Sequence, residues 1–155
     1  MGIVIGAAAP DFSLPAVGKG IQKGARISLA AYRGKSKVLL AFYPADFSPV
    51  CTSEMRCFRE DWEAFRAAGC EILGISSDPL SKHQAFAEQL KLEFPLLSDV
   101  DRTVSQQYGV DSLLGTRRAY FLVDSQGILR YQHVEWLPLF KRDNRELLEA
   151  VRAIS

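Results

Sequence analysis

The sequence predicts an α/β fold in which a mixed central sheet is flanked by helices and preceded by an N-terminal extension. Three observations carry this prediction. Two nearly uninterrupted apolar runs, KVLLAFY at 37–43 and CEILGIS at 70–76, read as strands buried on both faces. Between them Met55, Phe58, Trp62 and Phe65 recur every three or four residues, drawing one apolar stripe on a helix over 49–68. Later, two apolar runs flank Asp124-Ser125-Gln126-Gly127, a set of turn residues, so those strands pair as a hairpin and make the sheet mixed.

The remaining elements follow in order. PDFSLP and the glycine-rich VGKGIQKGARISL form the extension, with a small hairpin of its own. Pro49 suits the first helical position, and Gly69 supplies a helix stop before the second central strand. Asp78-Pro79 repeats the start signal, a capping side chain and then a proline, for a helix reaching about Leu90. Phe94 to Leu97 then read as a short strand and Asp101 to Tyr108 as a short helix. Ala119 to Val123 and Ile128 to Val134 are the hairpin strands, and Asp143 to Ile154 close as a helix with Leu147, Leu148, Val151 and Ile154 inward. Without repeat, linker or low-complexity tract, residues 1–155 are expected to form one domain, and the order of elements matches the thioredoxin fold.

Composition narrows the partners. Lys plus Arg number 19 against 18 Asp plus Glu, with no basic cluster, so nucleic acid is not an expected partner. The first residues lack the basic segment of a secretory signal, and position 6 is Gly6 where a myristoylation signal needs Ser or Thr. No run approaches the roughly 18 apolar residues of a membrane span, so the expectation is a cytoplasmic protein with no membrane partner. Three cysteines, Cys51, Cys57 and Cys70, at irregular spacing and without a CxxC pair suit neither a disulfide framework nor a zinc site. His83 and His133 are far apart in sequence, each reads as a solvated or hydrogen-bonded residue, and no metal or cofactor is expected. The glycines at 18, 20 and 24 miss the dinucleotide spacing by one residue, and Gly34-Lys35-Ser36 lacks the earlier glycine of a phosphate loop.

One stretch carries chemistry. In Ser48-Pro49-Val50-Cys51, Ser48 falls at the N-cap, Pro49 at the first helical position and Cys51 at the third. That third position in a capping box holds Glu or Gln, whose side chain turns toward the free amides of the helix start. A thiol there meets those amides and the positive end of the helix dipole, which favour thiolate over thiol. Taken alone, a cysteine on an apolar stripe is most often a small core hydrophobe, and Arg118 at a strand start is most often a solvated charge.

The surrounding residues overturn both bland readings. Pro44, Ser48 and Cys51 reproduce a loop of proline, three residues, threonine or serine, two residues and cysteine, with Phe42-Tyr43, Asp46-Phe47 and Glu54 around it. Arg118, Phe121 and Asp124 keep a second spacing that the neighbouring Arg117 does not, and APDFSLP and ISLAAYRGK extend the likeness toward the N-terminus. In all of these the sequence resembles the peroxiredoxins, the alkyl hydroperoxide reductase and thiol-specific antioxidant family. It is nearest to the short one-cysteine or bacterioferritin-comigratory-protein-like bacterial subgroups.

The resemblance implies a thiol-dependent peroxidase that reduces hydrogen peroxide and small organic hydroperoxides, with Cys51 as the peroxidatic cysteine cycling through a sulfenic acid. It implies that Arg118 stabilises the thiolate and the developing oxyanion, that Ser48 orients the peroxide, and that Pro44 shields the pocket. Glu54, one turn beyond Cys51, would support an arginine. A homodimer and an external thiol or thioredoxin-like reductant are implied as well.

Cys57 is a possible resolving cysteine, but it lies six residues after Cys51 where the relatives with both cysteines in one helix have five. In an intact helix that separation places the Cα atoms about 10 Å apart, beyond the roughly 6.8 Å a disulfide tolerates. Resolution by Cys57 would need the helix start to unwind, and direct reduction by an outside thiol is the rival. Two other functions share the fold. A thiol-disulfide oxidoreductase would want CxxC where Ser48 stands, and a redox-sensing or holdase protein would not need Pro44, Ser48, Cys51 and Arg118 together.

Overall fold

A computed structural model describes residues 3–136 and 141–154 of the chain. Along it run β1 (Ser13–Val17), β2 (Arg26–Ser28), β3 (Lys37–Phe42), α1 (Pro49–Ala67), β4 (Cys70–Ser76), α2 (Leu80–Leu90) and β5 (Leu96–Ser98). There follow α3 (Thr103–Gln107), β6 (Asp111–Ser112), β7 (Gly115–Thr116), β8 (Ala119–Val123), β9 (Leu129–Val134) and α4 (Asn144–Arg152). One sheet has the order β2-β1-β5-β4-β3-β8-β9, and β6 with β7 forms a separate small hairpin. Strands β3, β4 and β5 are parallel, while β8 runs antiparallel to β3, β9 to β8, and β1 to both β5 and β2.

The two-sided burial of β3 explains its lack of polar alternation. Val38, Leu40 and Phe42 enter a core shared with Phe12, Leu29 and Tyr108, whereas Leu39, Ala41 and Tyr43 enter one shared with Met55, Phe58, Phe65 and Phe86. Helices α1, α2 and α4 thus cover one face, and the N-terminal segment with α3 covers the other. Phe58 and Phe65, fully buried and packed edge-on at 5.9 Å, each stabilise the fold by about 1.5–3 kcal/mol of apolar burial. Gly69, at φ +79°, ends α1 in the left-handed conformation that glycine adopts without penalty. Within β4, a Cβ at Gly74 would lie 2.7 Å from the Leu96 side chain, so the glycine permits the close approach of β5.

Several boundaries differ from the sequence expectation. Asp78 does not cap α2: Pro79 is the N-cap, and the Asp78 carboxylate instead accepts the Asp46 N–H and the Ser76 hydroxyl, each at 2.7 Å. Strand β5 begins at Leu96, after Pro95, which has no N–H to extend a ladder. The β6–β7 hairpin escaped detection because two-residue strands are too short to show a period. Asp143 does cap α4, its side chain accepting the Arg145 N–H at 2.9 Å. Among the described residues no helix is long and apolar enough to cross a membrane.

Candidate active site

Strand β3 delivers the chain to Pro44, and the loop returns it to the start of α1. Phe47 makes the reversal at φ +67°, a strained backbone for an aromatic residue, with its ring 4.9 Å from that of Phe86. Ser48 is the N-cap, and its carbonyl accepts the Thr52 N–H at 2.8 Å. Its side chain departs from the capping expectation: the hydroxyl donates to the Ala45 carbonyl at 3.2 Å and closes the loop, leaving the helix amides uncapped by it. Cys51 occupies the third helical position, as its spacing from Pro49 dictates, and is fully buried.

Arg118, immediately before β8, meets this thiol. Its Nη2 donates to Cys51 Sγ at 3.1 Å and its Nη1 to Glu54 Oε1 at 2.6 Å. Cys51 and Glu54 can share one guanidinium because residues three apart lie on the same helix face. The other Glu54 oxygen accepts the Tyr120 hydroxyl, and that hydroxyl accepts the Arg142 N–H at 3.1 Å. Arg118 and Tyr120, two apart on an extended segment, point to the same side of the sheet. Tyr120 was absent from the sequence candidates, and this two-residue offset from Arg118 is the signal that marks it.

The electrostatics of the group are set by burial and mutual pairing. Burial opposes a charged Arg118, but the Glu54 carboxylate and the Cys51 sulfur outweigh it and hold the guanidinium cationic. Burial pushes the Glu54 carboxyl up, against Arg118 and Tyr120, which both favour its ionised form. The Tyr120 phenol is raised by burial and by Glu54, so it remains a donor.

A second buried network holds the loop from behind. His83 is fully buried on α2, with Nδ1 2.6 Å from Asp46 Oδ2 and Nε2 3.0 Å from the Leu97 carbonyl. Tyr43 donates its hydroxyl to Asp46 Oδ1 at 2.5 Å, and the Asp46 N–H reaches Asp78. Of the two readings open for His83, hydrogen-bonded and solvated, the buried hydrogen-bonded one holds. Asp46, Asp78 and His83 bring ligand-type atoms within 4.8 Å of one another, but these atoms are engaged in the contacts above, with Lys82 3.1 Å from the second Asp78 oxygen. They form a hydrogen-bonded latch behind the loop. The other histidine, His133, is part-buried beside Glu135 at 3.0 Å.

The other sulfurs lie apart from this group. Cys57 is half-buried farther along the uninterrupted α1, with Lys141 Nζ 3.6 Å from its sulfur. Cys70 is buried at the start of β4, where burial and the Glu71 charge push its thiol up to about 12. All three thiols are free. Pro44 and Arg118 border a cleft of about 140 Å³ whose outer wall includes Leu114 and Trp136.

Known proteins resemble this chain in sequence and fold. The family model described as "AhpC/TSA family" matches residues 5–132. The protein named "Putative peroxiredoxin bcp" from Coxiella burnetii is 41% identical over 137 residues, covering 83% of this chain and 87% of that protein. The solved peroxidoxin BcpB of Mycobacterium tuberculosis superposes with a TM-score of 0.84 at 32% identity, over 97% of each chain. The reduced 2-Cys peroxiredoxin of Plasmodium vivax gives 0.89 at 32% identity, over 96% of this chain and 80% of that one. A thioredoxin-fold mixed sheet, a family match over most of the length and relatives that are peroxiredoxins lead to one conclusion: the chain belongs to the AhpC/TSA family and is a peroxiredoxin, a thiol peroxidase.

Proposed function

We propose that Cys51 is the peroxidatic cysteine and that Arg118, Ser48 and Pro44 complete the catalytic site, with Glu54 fixing Arg118. The observation that carries this reading is the 3.1 Å contact from Arg118 Nη2 to Cys51 Sγ at a helix N-terminus. A cation and the uncompensated amides of the first turn both stabilise negative charge on that sulfur.

The thiolate attacks one peroxide oxygen, an S–O bond forms as the O–O bond breaks, and the bonding pair leaves with the distal oxygen. Sulfur is oxidised by two electrons to sulfenic acid, and the leaving oxygen takes a proton to become water or an alcohol. Arg118 stabilises charge on sulfur at the outset and on oxygen at the end, so its pinned position matters more than its net affinity for either. Ser48 spends its hydroxyl proton on Ala45 O, which turns its lone pairs outward as acceptors for the peroxide proton. Pro44 adds a wall without a competing donor.

An external thiol or thioredoxin-like protein then attacks the sulfenic sulfur, releasing water and forming a mixed disulfide, and a second thiol equivalent attacks the donor's sulfur, breaking the S–S bond so that Cys51 leaves reduced and the donor departs as its disulfide. Reset by outside thiol is favoured over Cys57 because α1 is continuous from Pro49 to Ala67, which keeps Cys51 and Cys57 too far apart to bond. Three free thiols fit a reducing cytoplasm, and a homodimer is expected on the family likeness. The deciding experiment combines turnover with mass spectrometry. Cys51→Ser should abolish peroxide consumption, and one equivalent of peroxide should leave a sulfenic acid on Cys51 of the wild type. Residual wild-type turnover in Cys51→Ser overturns the assignment, and a Cys51–Cys57 disulfide overturns the outside-thiol reset.

A further inference from the structure

We propose that Asp46, Asp78 and His83 form a binding site for one divalent cation of the zinc class, held by two carboxylates and one imidazole and clamping the loop between Pro44 and Ser48. Neither Cys51 nor Arg118 takes part. The three side chains bring ligand-type atoms within 4.8 Å of one another. They come from three parts of the chain: Asp46 from that loop, Asp78 from the segment after β4, and His83 from α2. The Asp46 and His83 side chains are fully buried, and that of Asp78 is 11% exposed.

His83 is oriented as a metal ligand. Its Nε2 faces the Leu97 carbonyl at 3.0 Å, and a carbonyl only accepts, so Nε2 carries a hydrogen. A metal-bound histidine is held in this way, its second nitrogen donating to a backbone carbonyl or a carboxylate. That leaves Nδ1 aimed at Asp46 Oδ2, 2.6 Å away. A ring nitrogen and a carboxylate oxygen this close need a positive centre between them, and in the latch it is a proton. A divalent cation replaces that proton, which passes to water, and Nδ1 and Oδ2 become its ligands.

Charge and coordination favour this exchange. Among the described residues the two carboxylates have one ammonium, that of Lys82, 3.1 Å from Asp78 Oδ1 and 43% exposed. Buried carboxylates are paired or coordinate metals, and a doubly charged ion serves both at once. Ligands about 2.0–2.2 Å from a tetrahedral zinc ion stand about 3.4 Å apart, so atoms within 4.8 Å of one another close on it through small side-chain rotations. Imidazole beside carboxylates selects zinc-type ions over magnesium and calcium, which take oxygen ligands.

Ser98 is an independent sign of a ligand. It lies in register with Ser76 across β5 and β4, so both side chains stand on the sheet face that α2 covers, and Ser76 Oγ donates to Asp78 Oδ2 at 2.7 Å. The Ser98 hydroxyl is buried and, among the described residues, has no hydrogen-bond partner. Such a group costs free energy unless a ligand or its water meets it. It is placed to hold the water that fills the fourth position of a zinc ion with three protein ligands.

The test uses a Cys51→Ser/Cys57→Ser protein, which lacks the two thiols most able to compete for zinc. It is freed of metal by dialysis against a chelator, then titrated with Zn²⁺ by calorimetry and with Co²⁺ by absorption. One ion should bind per chain, giving the visible d–d bands of a tetrahedral nitrogen and oxygen site without a sulfur-to-cobalt charge-transfer band. Asp78→Asn and His83→Gln should each weaken Zn²⁺ binding by at least about 10²-fold, since a lost ligand costs no less than a lost outer-shell partner. Zinc should also slow amide hydrogen exchange across 43–50, and should not do so in either variant. Absence of saturable binding, unchanged affinity in Asp78→Asn, or a sulfur charge-transfer band overturns the site. Binding that leaves exchange across 43–50 unchanged overturns the clamp. Asp78 is the most exposed of the three ligands, so Asp78→Asn decides the matter even where His83→Gln does not fold.

Discussion

Arg118 Nη1 lies 2.6 Å from Glu54 Oε1 with the two side chains only 1% and 2% exposed, so the cation that touches Cys51 is held by a carboxylate that bulk water does not reach. Such a pair contributes little net stability as a pair, yet losing one member strands the other. Its value here is geometric, because one guanidinium face serves the sulfur while another is anchored.

Glu54→Gln keeps the volume and an acceptor for Tyr120 but leaves Arg118 without its counter-charge. Urea unfolding should show a loss of about 3 kcal/mol. Arg118→Lys keeps the charge but loses the fork that reaches sulfur and carboxylate at once, and stopped-flow peroxide reduction should slow by about 10²-fold. A Lys variant as fast as wild type would mean that charge alone, without the fork, suffices.

His83→Ala removes the imidazole that bridges Asp46 and the Leu97 carbonyl. It leaves the buried Asp46 carboxylate with Tyr43 as its remaining side-chain donor and should cost about 1–3 kcal/mol in urea unfolding. Because Asp46 lies in the loop between Pro44 and Ser48, the peroxide rate should fall with it. His83→Gln, which restores one donor toward Asp46, should recover part of both losses.

Asp124 carries the clearest pH signature. Burial alone would raise its carboxyl, but the Ile128 N–H, Arg130 and the Gln126 N–H outweigh that and hold it below the ordinary 3.8. A depressed folded-state value means its contribution is fully present above the unfolded value and is lost as pH falls through the folded one. The stability gap between wild type and Asp124→Asn should therefore be constant from neutral pH down to about 4 and shrink below it. Chemical unfolding across that range reads it directly, and a gap that widens with acid would refute the assignment.

Cys70, pushed up to about 12, should have about 10⁻⁴ of its thiol ionised at pH 8 and no solvent access in β4. Iodoacetamide on the native protein at pH 8 should leave it unmodified after half-exposed Cys57 has reacted, with peptide mass mapping as the readout. Rapid alkylation of Cys70 would reveal local opening of β4.

The loop from Pro44 to Cys51 is legible in the sequence because its signals are local. Pro49 and Cys51 fix a helix start and the third position within three residues, and the apolar runs of β3 and β4 and the Asp124 turn are equally local in cause. The start of α2 differed because a tertiary contact took over a local role: Asp78 gave up capping the helix to hold the Asp46 amide.

By itself the sequence determined the element order, the helix-start position of Cys51 and the pairing of residue types that marks a peroxiredoxin. Only the tertiary structure decided which side chains converge: Arg118 lies 67 residues from Cys51 and 64 from Glu54, and His83 lies 37 from Asp46. Local propensity carries no information about such separations. The β3–β8 pairing and the packing of α1 on that sheet bring Arg118 and Tyr120 onto Cys51 and Glu54, and burial then turns a strand-end arginine into the fixed partner of the Cys51 sulfur.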